Sequence, residues 1–387
     1  MKVLPLPLLA ILLMALGPSP TSAAVEAKLM DSEFRWQTVM VQSFGTDRIR
    51  FFDADRNLQQ RDLDQFLRIV FSAPDNGEPA EAAGPDRKNN RVRVVFNDGQ
   101  RLTGRWVGAE GDALQIEHDQ LGRRSVSLDD IRRVEFVAEA AAAMPESAAE
   151  DTVTLANGDR LTGFVAALTP ATITIETGPA SIDLKTEQVR SVQLANPGRP
   201  APGDRVFLRN GDIVITQSLR LVADRLTIGT GDDAVELAPA RVARIDLANP
   251  NLALRPLAGQ PMSIIDGGEA FGVAWPPKID PDGIRLHAPV TVQWEVPAGA
   301  RWFAADARLD LAANHPRRDW AGFELILRSG DQEQRYTLDP ETDAVPVRLK
   351  VTGGFITVTL EPGVNGPILD RLRLQDATLL VTADPAD

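Results

Sequence analysis

One short pattern occurs three times in this chain and constrains its fold more than any other feature. It reads FNDGQRLTG at residues 96–104, LANGDRLTG at residues 155–163 and LRNGDIVIT at residues 208–216. Asn-Gly and Asp-Gly adopt the positive φ angles of tight hairpin turns at little steric cost. The flanking residues alternate between apolar and polar, which is typical of half-buried strands. We therefore interpret the pattern as a repeated β-hairpin, an architectural element rather than a binding site.

Each copy of the turn lies in a longer unit of the same kind. A third alternating strand, a short fourth strand and a closing fifth strand follow the hairpin, and two units end in Leu-Ala-Asn-Pro. The predicted units are repeat B (91–138), repeat C (151–195) and repeat D (204–249). Residues 25–73 match the back half of the pattern and lack its Gly turn. They predict a degenerate terminal unit, repeat A, which serves as a cap or supplies partner strands.

Segments rich in Pro, Gly, Glu and Ala separate the predicted units. They span residues 74–90 and 139–150, and a shorter Pro- and Gly-rich joint precedes repeat D. Such compositions are typical of spacers. We therefore expect the repeats to be separate beads rather than parts of one core.

The order of elements in each repeat resembles that of the Sm-like small β-barrel: a strand, an Asn-Gly turn, a strand that carries a glycine, and three more short strands. The resemblance implies one small barrel per repeat. Sm-like proteins often bind RNA, but the chain has a formal net charge of −13. Phosphate backbones are bound by clustered Lys and Arg, whereas the arginines here are interspersed with acids. We expect no nucleic-acid partner.

The first residues have the pattern of a secretory signal peptide. Lys2 precedes an apolar run and then small residues, which predicts a signal peptide over residues 1–23. The run is broken by Pro5 and Pro7, and it is shorter than the roughly 20 residues of a membrane-spanning helix. We expect export to the periplasm or the extracellular space and no integral membrane segment in the mature chain. Without cysteine, the chain has no disulfide and no thiol chemistry.

The composition changes towards the C-terminus, where four of the six tryptophans and the only tyrosine lie beyond residue 270. Short alternating segments recur there at even spacing. The segment PVTVQWEV (289–296) places Trp294 on its apolar face. The next segment, RWFAADARLDL (301–311), places Phe303 on its apolar face. These segments predict an antiparallel β-sandwich over residues 259–387.

Two stretches of this segment carry a family signature. In residues 282–310 the matching positions are Gly283, His287, Phe303, Ala305 and Asp310. In residues 366–380 they are Asp370, Asp376 and Ala377, while Arg371 stands where His is usual and Leu374 where Trp is usual. The segment thus resembles the NPCBM family of galactose-binding-like β-sandwiches. The resemblance implies that fold and carbohydrate binding, and the two departures favour loss of sugar binding.

A long polar loop, residues 310–320, is the candidate binding site of the sandwich. Sugars stack their C–H faces on exposed aromatic rings, and carboxylate, amide and guanidinium groups bind their hydroxyls. The residues expected to contact a glycan or an envelope polysaccharide are Asn314, His315, Arg317, Arg318, Asp319 and Trp320, together with Trp302. The alternative is that Trp320 caps the edge of the sandwich while the two arginines pair with surface acids. His287 is interpreted as a structural residue.

No catalytic or metal-binding motif occurs in the sequence. The three histidines are widely spaced and form no zinc pattern, and nucleophile-elbow, dinucleotide and phosphate-loop motifs do not occur. The stretch DPDG (280–283) fits a plain turn better than a calcium loop. We expect no cofactor, no metal and no catalysis. The sequence favours an exported binding protein whose repeats are a spacer or protein-contact array; the alternative is an envelope assembly protein that contacts only other envelope proteins.

Overall fold

The computed structural model describes residues 24–72, 85–86, 90–136, 149–199, 201–231, 234–280 and 283–383. The described chain is all-β: four small units, three of five strands and the fourth of six, precede an antiparallel β-sandwich, so the predicted fold class is confirmed. The predicted signal peptide and most of the two predicted linkers lie outside the described residues.

The strands of the four repeats follow one another in the same way. Repeat A contains β1 (Val25–Asp31), β2 (Trp36–Phe44), β3 (Arg48–Phe52), β4 (Leu58–Asp62) and β5 (Phe66–Phe71). Repeat B contains β6 (Arg91–Phe96), β7 (Arg101–Glu110), β8 (Ala113–His118), β9 (Gly122–Ser127) and β10 (Ile131–Glu135). Repeat C contains β11 (Asp151–Leu155), β12 (Arg160–Leu168), β13 (Thr172–Thr177), β14 (Ala180–Lys185) and β15 (Val189–Gln193). Repeat D contains β16 (Asp204–Leu208), β17 (Ile213–Thr216), β18 (Leu219–Val222), β19 (Arg225–Ile228), β20 (Val235–Leu237) and β21 (Val242–Asp246).

A single 3-10 turn leads into the last strand of each repeat. These turns are Leu63–Gln65, Leu128–Asp130, Thr186–Gln188 and Pro239–Arg241. The last strand then pairs with the first, so the sheet of each repeat wraps around its own apolar face. Repeat A has the complete set of strands, so it is a full unit although its first turn lacks the Gly.

The glycine of the RLTG pattern lies where the second strand changes partner. In repeat C, β12 pairs with β11 as far as Gly163 and with β13 from Phe164 onward. A Cβ atom on Gly163 would lie 2.1 Å from the carbonyl oxygen of Glu176, so the crossing requires a glycine. Gly104 has the same place in repeat B. Repeat D has Thr216 there, and its second strand is broken into β17 and β18.

The repeats pair two by two in a nested order. The last strands of repeats A and D pair with Ile69 opposite Ile245, and those of repeats B and C pair with Val134 opposite Val192. All four residues are fully buried, and each pair of repeats shares one apolar core. Equivalent positions face each other, so each pair has an approximate twofold axis. The expectation of separate beads is wrong, because an uncovered last strand would expose an unpaired edge.

The repeated exit Leu-Ala-Asn-Pro fastens each pair. In repeat C, the Asn196 amide donates to two carbonyl oxygens of repeat B at 2.7 and 2.6 Å. In repeat D, the Asn249 amide donates to the carbonyl oxygen of Asp64 in repeat A at 2.8 Å. In both pairs, the asparagine of Leu-Ala-Asn-Pro therefore has the same role: its side-chain amide donates to the 3-10 turn of the partner repeat.

A row of alternating charges crosses the interface between repeats A and D and continues into the sandwich. Arg68 of repeat A contacts Asp246 of repeat D through two hydrogen bonds, and both side chains are largely buried. Arg244 lies 3.6 Å from Asp246 and pairs with Asp376 of the sandwich. Two-point bonds between Arg and a carboxylate fix geometry as well as charge, so this row orients three units.

The two pairs contact each other where the first hairpin of repeat B, with its Asp-Gly turn, meets the first hairpin of repeat D, with its Asn-Gly turn. Ile213 lies opposite Arg101, whose Nε–H donates to the Gly211 carbonyl oxygen at 3.0 Å. The buried His118 ring accepts two backbone N–H groups at Nδ1, so its proton is on Nε2 and is donated to Asp212 at 2.8 Å. These turns are therefore contact elements between repeats.

The C-terminal unit is a sandwich of two antiparallel sheets. One sheet contains β22 (Leu252–Pro256), β26 (Lys278–Asp280), β27 (Gly283–His287), β29 (Ala300–Leu309), β32 (Ala344–Lys350) and β34 (Arg371–Thr382). The other contains β23 (Met262–Gly267), β28 (Val290–Glu295), β30 (Phe323–Ser329), β31 (Gln332–Leu338) and β33 (Phe355–Pro362). A small hairpin, β24 (Glu269–Ala270) and β25 (Val273–Ala274), and the 3-10 turns Leu257–Gly259 and Arg318–Trp320 complete it. Trp294 is fully buried in its core, as its alternation predicts.

Repeat A docks on the outer face of the six-stranded sheet. Met30, Phe34 and Leu67 of the repeat pack against Leu380, and Trp302 is half-buried beside them. Phe34 lies in the turn between β1 and β2 with φ of 57°. The turn between the first two strands is thus a contact element in repeat A as well as in B and D.

Candidate functional site

A cleft of about 700 Å³ opens at one end of the sandwich. Three chain segments that are distant in sequence form its walls: 319–324, 337–341 and 361–365. The first begins with the last two residues of the predicted binding loop, which the 3-10 turn Arg318–Trp320 closes. Loops on a rigid sheet scaffold are where binding residues concentrate.

A buried carboxylate holds two walls of the cleft together. Asp370 is fully buried and accepts the backbone N–H of Gly322 at 2.9 Å and that of Gly363 at 3.1 Å. Burial raises the pKa of Asp370, and the two N–H bonds oppose that rise. A Cβ atom on Gly363 would lie 2.1 Å from the Gly322 carbonyl oxygen. The close approach of the two segments fixes the shape of the cleft before any ligand binds.

Trp320 is the exposed aromatic residue of the cleft. Its side chain lines the wall with 40% of its surface exposed. The Arg317 guanidinium carbon lies 5.1 Å from the centre of the indole ring, within the range of a cation–π contact. The amide of Asn365 donates to the Trp320 carbonyl oxygen at 3.3 Å. The cation–π contact with Arg317 and the hydrogen bond from Asn365 thus fix the position of the indole ring at the opening of the cleft.

Carboxylates dominate the polar lining of the cleft. Glu324 pairs with Arg335, and Asp339 accepts the backbone N–H groups of its own turn at Oδ1. The other carboxylates of the lining, all exposed, belong to Asp319, Glu341 and Glu361. This arrangement offers acceptors to hydroxyl or ammonium groups and repels anions.

The remaining residues of the predicted loop have other positions. Arg318 turns away from the cleft, donating to the Leu311 carbonyl oxygen at 2.7 Å and pairing with Asp343. His315 accepts the Arg317 N–H at Nδ1 and shapes the loop. Asn314 is exposed in the same loop. Of the predicted set, Asp319 and Trp320 line the cleft, and Arg317 lies over the Trp320 ring.

Trp302 lies apart from this group. It is eight residues from the start of the loop along β29, a distance of roughly 26 Å in an extended strand. It packs against repeat A, and the Arg348 guanidinium carbon lies 5.1 Å from its ring centre. As predicted, its side chain points to the opposite side of the sheet from Phe303. That side of the sheet, however, is covered by repeat A.

A second aromatic cluster was not apparent from the sequence. Trp275 stacks on His287 with ring centres 4.5 Å apart, and the Arg371 guanidinium lies 5.1 Å from the same indole. The His287 Nδ1–H donates to the Ala288 carbonyl oxygen at 2.7 Å. Burial is the main cause that lowers the pKa of His287. These contacts agree with a structural role for His287, and they give Arg371 a packing role.

The opposite walls of the cleft were also missed in the sequence. Glu341 and Asn365 lie in loops whose local sequence reads as ordinary turns, and Glu361 lies near the end of β33. Only the sheet order brings these residues to Trp320. Among the described residues, no group of three or more His, Cys, Asp or Glu side chains is arranged to hold a metal ion. In the same part of the chain, no helix has the length and apolar character needed to cross a membrane.

Comparisons with known proteins give matches among solved structures alone. No family model matches the chain, and no curated protein matches it. The resemblances to NPCBM and Sm-like proteins therefore stay predictions.

Structures that contain carbohydrate-binding modules are among the solved structures that match. The CBM51-2 and INT domains of Clostridium perfringens ZmpB in complex with GlcNAc match at 13% identity and a TM-score of 0.27, over 42% of this chain and 39% of that one. The M60 catalytic domain of ZmpB with CBM51-1 and CBM51-2 matches at 8% identity and a TM-score of 0.27, over 93% and 52%.

The tandem CBM51 modules of Sp3GH98, the family 98 glycoside hydrolase of Streptococcus pneumoniae, match at 10% identity and a TM-score of 0.24, over 88% of this chain and 93% of that one. The chain thus spans about two fifths of the length of the first of these structures. Similarity at this level does not extend to a function, which has to be argued from the residues of this chain.

Proposed function

We propose that this chain is an exported, non-catalytic binding protein whose sandwich binds a glycan in the cleft beside Trp320. The observation that carries the proposal is the exposed indole on the wall of a fixed cleft that also presents carboxylates. An aromatic face binds the C–H face of a sugar ring, and carboxylates accept its hydroxyls. The four repeats act as the platform that carries the sandwich, since repeat A packs directly on its sheet.

The charge of the cleft narrows the class of glycan. Asp319, Glu341 and Glu361 are exposed carboxylates, and the Arg317 guanidinium lies over the Trp320 ring. Neutral sugars and amino sugars fit this surface, whereas uronic acids and phosphorylated glycans are repelled. We therefore expect binding to neutral or cationic polysaccharides and weak binding to anionic ones.

The test is a binding assay of the purified protein against neutral, amino-sugar and anionic polysaccharides and peptidoglycan. Trp320→Ala is expected to weaken binding at least about tenfold, or about 1.4 kcal/mol, because stacking on the indole is lost. The control is Phe355→Ala, since Phe355 is 47% exposed on the same sandwich and lies outside the cleft. Saturable binding that Trp320→Ala leaves unchanged would place the ligand elsewhere.

A second candidate is an envelope assembly protein that makes only protein contacts. One observation favours it: the turn between the first two strands is a contact element in repeats A, B and D. If the folded protein binds none of the polysaccharides tested, this second function is favoured over glycan binding.

A further inference from the structure

We propose that repeat C docks on repeat C of a second copy of this chain, forming a twofold-symmetric dimer. The contact surface is the repeat C face, defined as the turn 156–159, the start of β12 and the outward side of β14. The proposal is independent of glycan binding, because this face belongs to another unit than the cleft.

The equivalent face is occupied in the other repeats. In repeats B and D the two faces cover each other, with Arg101 opposite Ile213. In repeat A the turn is covered by the sandwich through Phe34. In repeat C, by contrast, Asn157 and Asp159 of the turn are exposed.

The burial of equivalent residues shows the effect of a partner. Leu102 of repeat B is 7% exposed and packs into the core of repeats A and D, whereas Val126 is 5% exposed and packs into the core that repeats B and C share. Their counterparts in repeat C are Leu161 and Leu184, which are only half-buried. Phe164, on the same strand as Leu161, is 63% exposed. At the position of Leu102, where repeats B and D exclude water, repeat C thus presents the half-buried Leu161, with the exposed Phe164 further along the same strand.

The backbone of this face also lacks a partner. β12 pairs with β11 over Arg160–Gly163, and its pairing with β13 begins only at Phe164. In the described part of the chain no strand pairs with the other edge of 160–163. In repeat B, the equivalent edge is the one that meets repeat D at Arg101. An uncovered edge of this kind is a template for another strand.

The contact between repeats B and D specifies the geometry. Equivalent positions, Arg101 and Ile213, face each other in antiparallel pairing, so a true twofold contact places Arg160 opposite Arg160 of the second copy. Arg101 donates to the Gly211 carbonyl oxygen, and Arg160 would donate to the equivalent Gly158 carbonyl oxygen of the second copy. Each bond would occur twice, as an isologous interface requires.

Symmetric disulfide formation tests the geometry directly. The chain has no cysteine, so Arg160→Cys introduces one thiol at the twofold axis. Opposite residues of antiparallel strands have Cα atoms about 4.5–5.5 Å apart, within the range that a disulfide spans. Mild oxidation is expected to convert this variant to a covalent dimer far faster than the control Arg220→Cys, which has an exposed side chain outside the repeat C face.

Sedimentation equilibrium tests the affinity. The purified protein is expected to be a dimer that dissociates on dilution, and Phe164→Glu is expected to weaken dimerisation at least about tenfold. Phe355→Glu is the matched control, since it places the same charge at an exposed phenylalanine of the sandwich. A protein that stays monomeric up to roughly 1 mM, or equal oxidation of the two cysteine variants, would overturn the proposal.

Discussion

The shared core of repeats A and D predicts that damage in one repeat loosens the other. Ile245 of repeat D is fully buried and lies opposite Ile69 of repeat A. Ile245→Ala removes three carbon atoms from this core, or about 2.4 kcal/mol of burial. With the cavity that remains, we expect a loss of about 3 kcal/mol. Local opening of the A–D pair should therefore become roughly a hundredfold more frequent.

Hydrogen exchange followed by mass spectrometry resolves where the opening occurs. In Ile245→Ala, amides of β1, β2 and β5 in repeat A should lose protection together with those of repeat D, although the sequence between the two repeats is unchanged. The control is Val192→Ala, which should loosen repeats B and C and leave repeat A protected, because Val192 lies opposite Val134. If the loss of protection in Ile245→Ala stays within repeat D, the reasoning from a shared core fails.

Two further outcomes follow from the packing. Gly163→Ala places a Cβ atom against the Glu176 carbonyl oxygen, so it should lower the free energy of unfolding by about 1–3 kcal/mol. Calorimetry should show a lower unfolding midpoint. The control Gly108→Ala, with open space around it, should leave the midpoint nearly unchanged. The pKa of His287 is lowered by burial. The stability that neutral His287 contributes is therefore present above the unfolded pKa of about 6.5 and is lost as the pH falls through the lower folded pKa. Thermal unfolding between pH 7.5 and 5 should show this loss, and His287→Gln should remove it.

Local sequence patterns predict the strands of this protein well. The Asn-Gly and Asp-Gly turns, the alternation around Trp294 and the regular spacing of the C-terminal segments are all short-range signals, and each lies in the expected element. The pairing of the repeats depends on contacts such as Ile69 with Ile245, which no local pattern records. A spacer-like composition between repeats indicates a connection, and it does not indicate which repeats the connection brings together.

The candidate site shows the same limit of what local sequence patterns can predict. Trp320 and Asp319 could be singled out because a polar loop with a tryptophan is uncommon within a row of strands. Alternation alone places Trp302 in the same set, and alternation indicates which side of a sheet a residue faces but not what covers that side. The far wall of the cleft, with Glu341 and Asn365, is made by the order of strands in the sheet.

The nested pairing of the repeats also has a consequence for the order of folding. The B–C contact closes a stretch of 58 residues between Arg133 and Ser191, whereas the A–D contact closes 178 residues between Arg68 and Asp246. Loop-closure entropy makes the longer closure costlier by about 1 kcal/mol. Once repeats B and C have joined, however, they shorten the effective span between repeats A and D. We therefore expect repeats B and C to pair first, and repeat A to pair only after repeat D has folded.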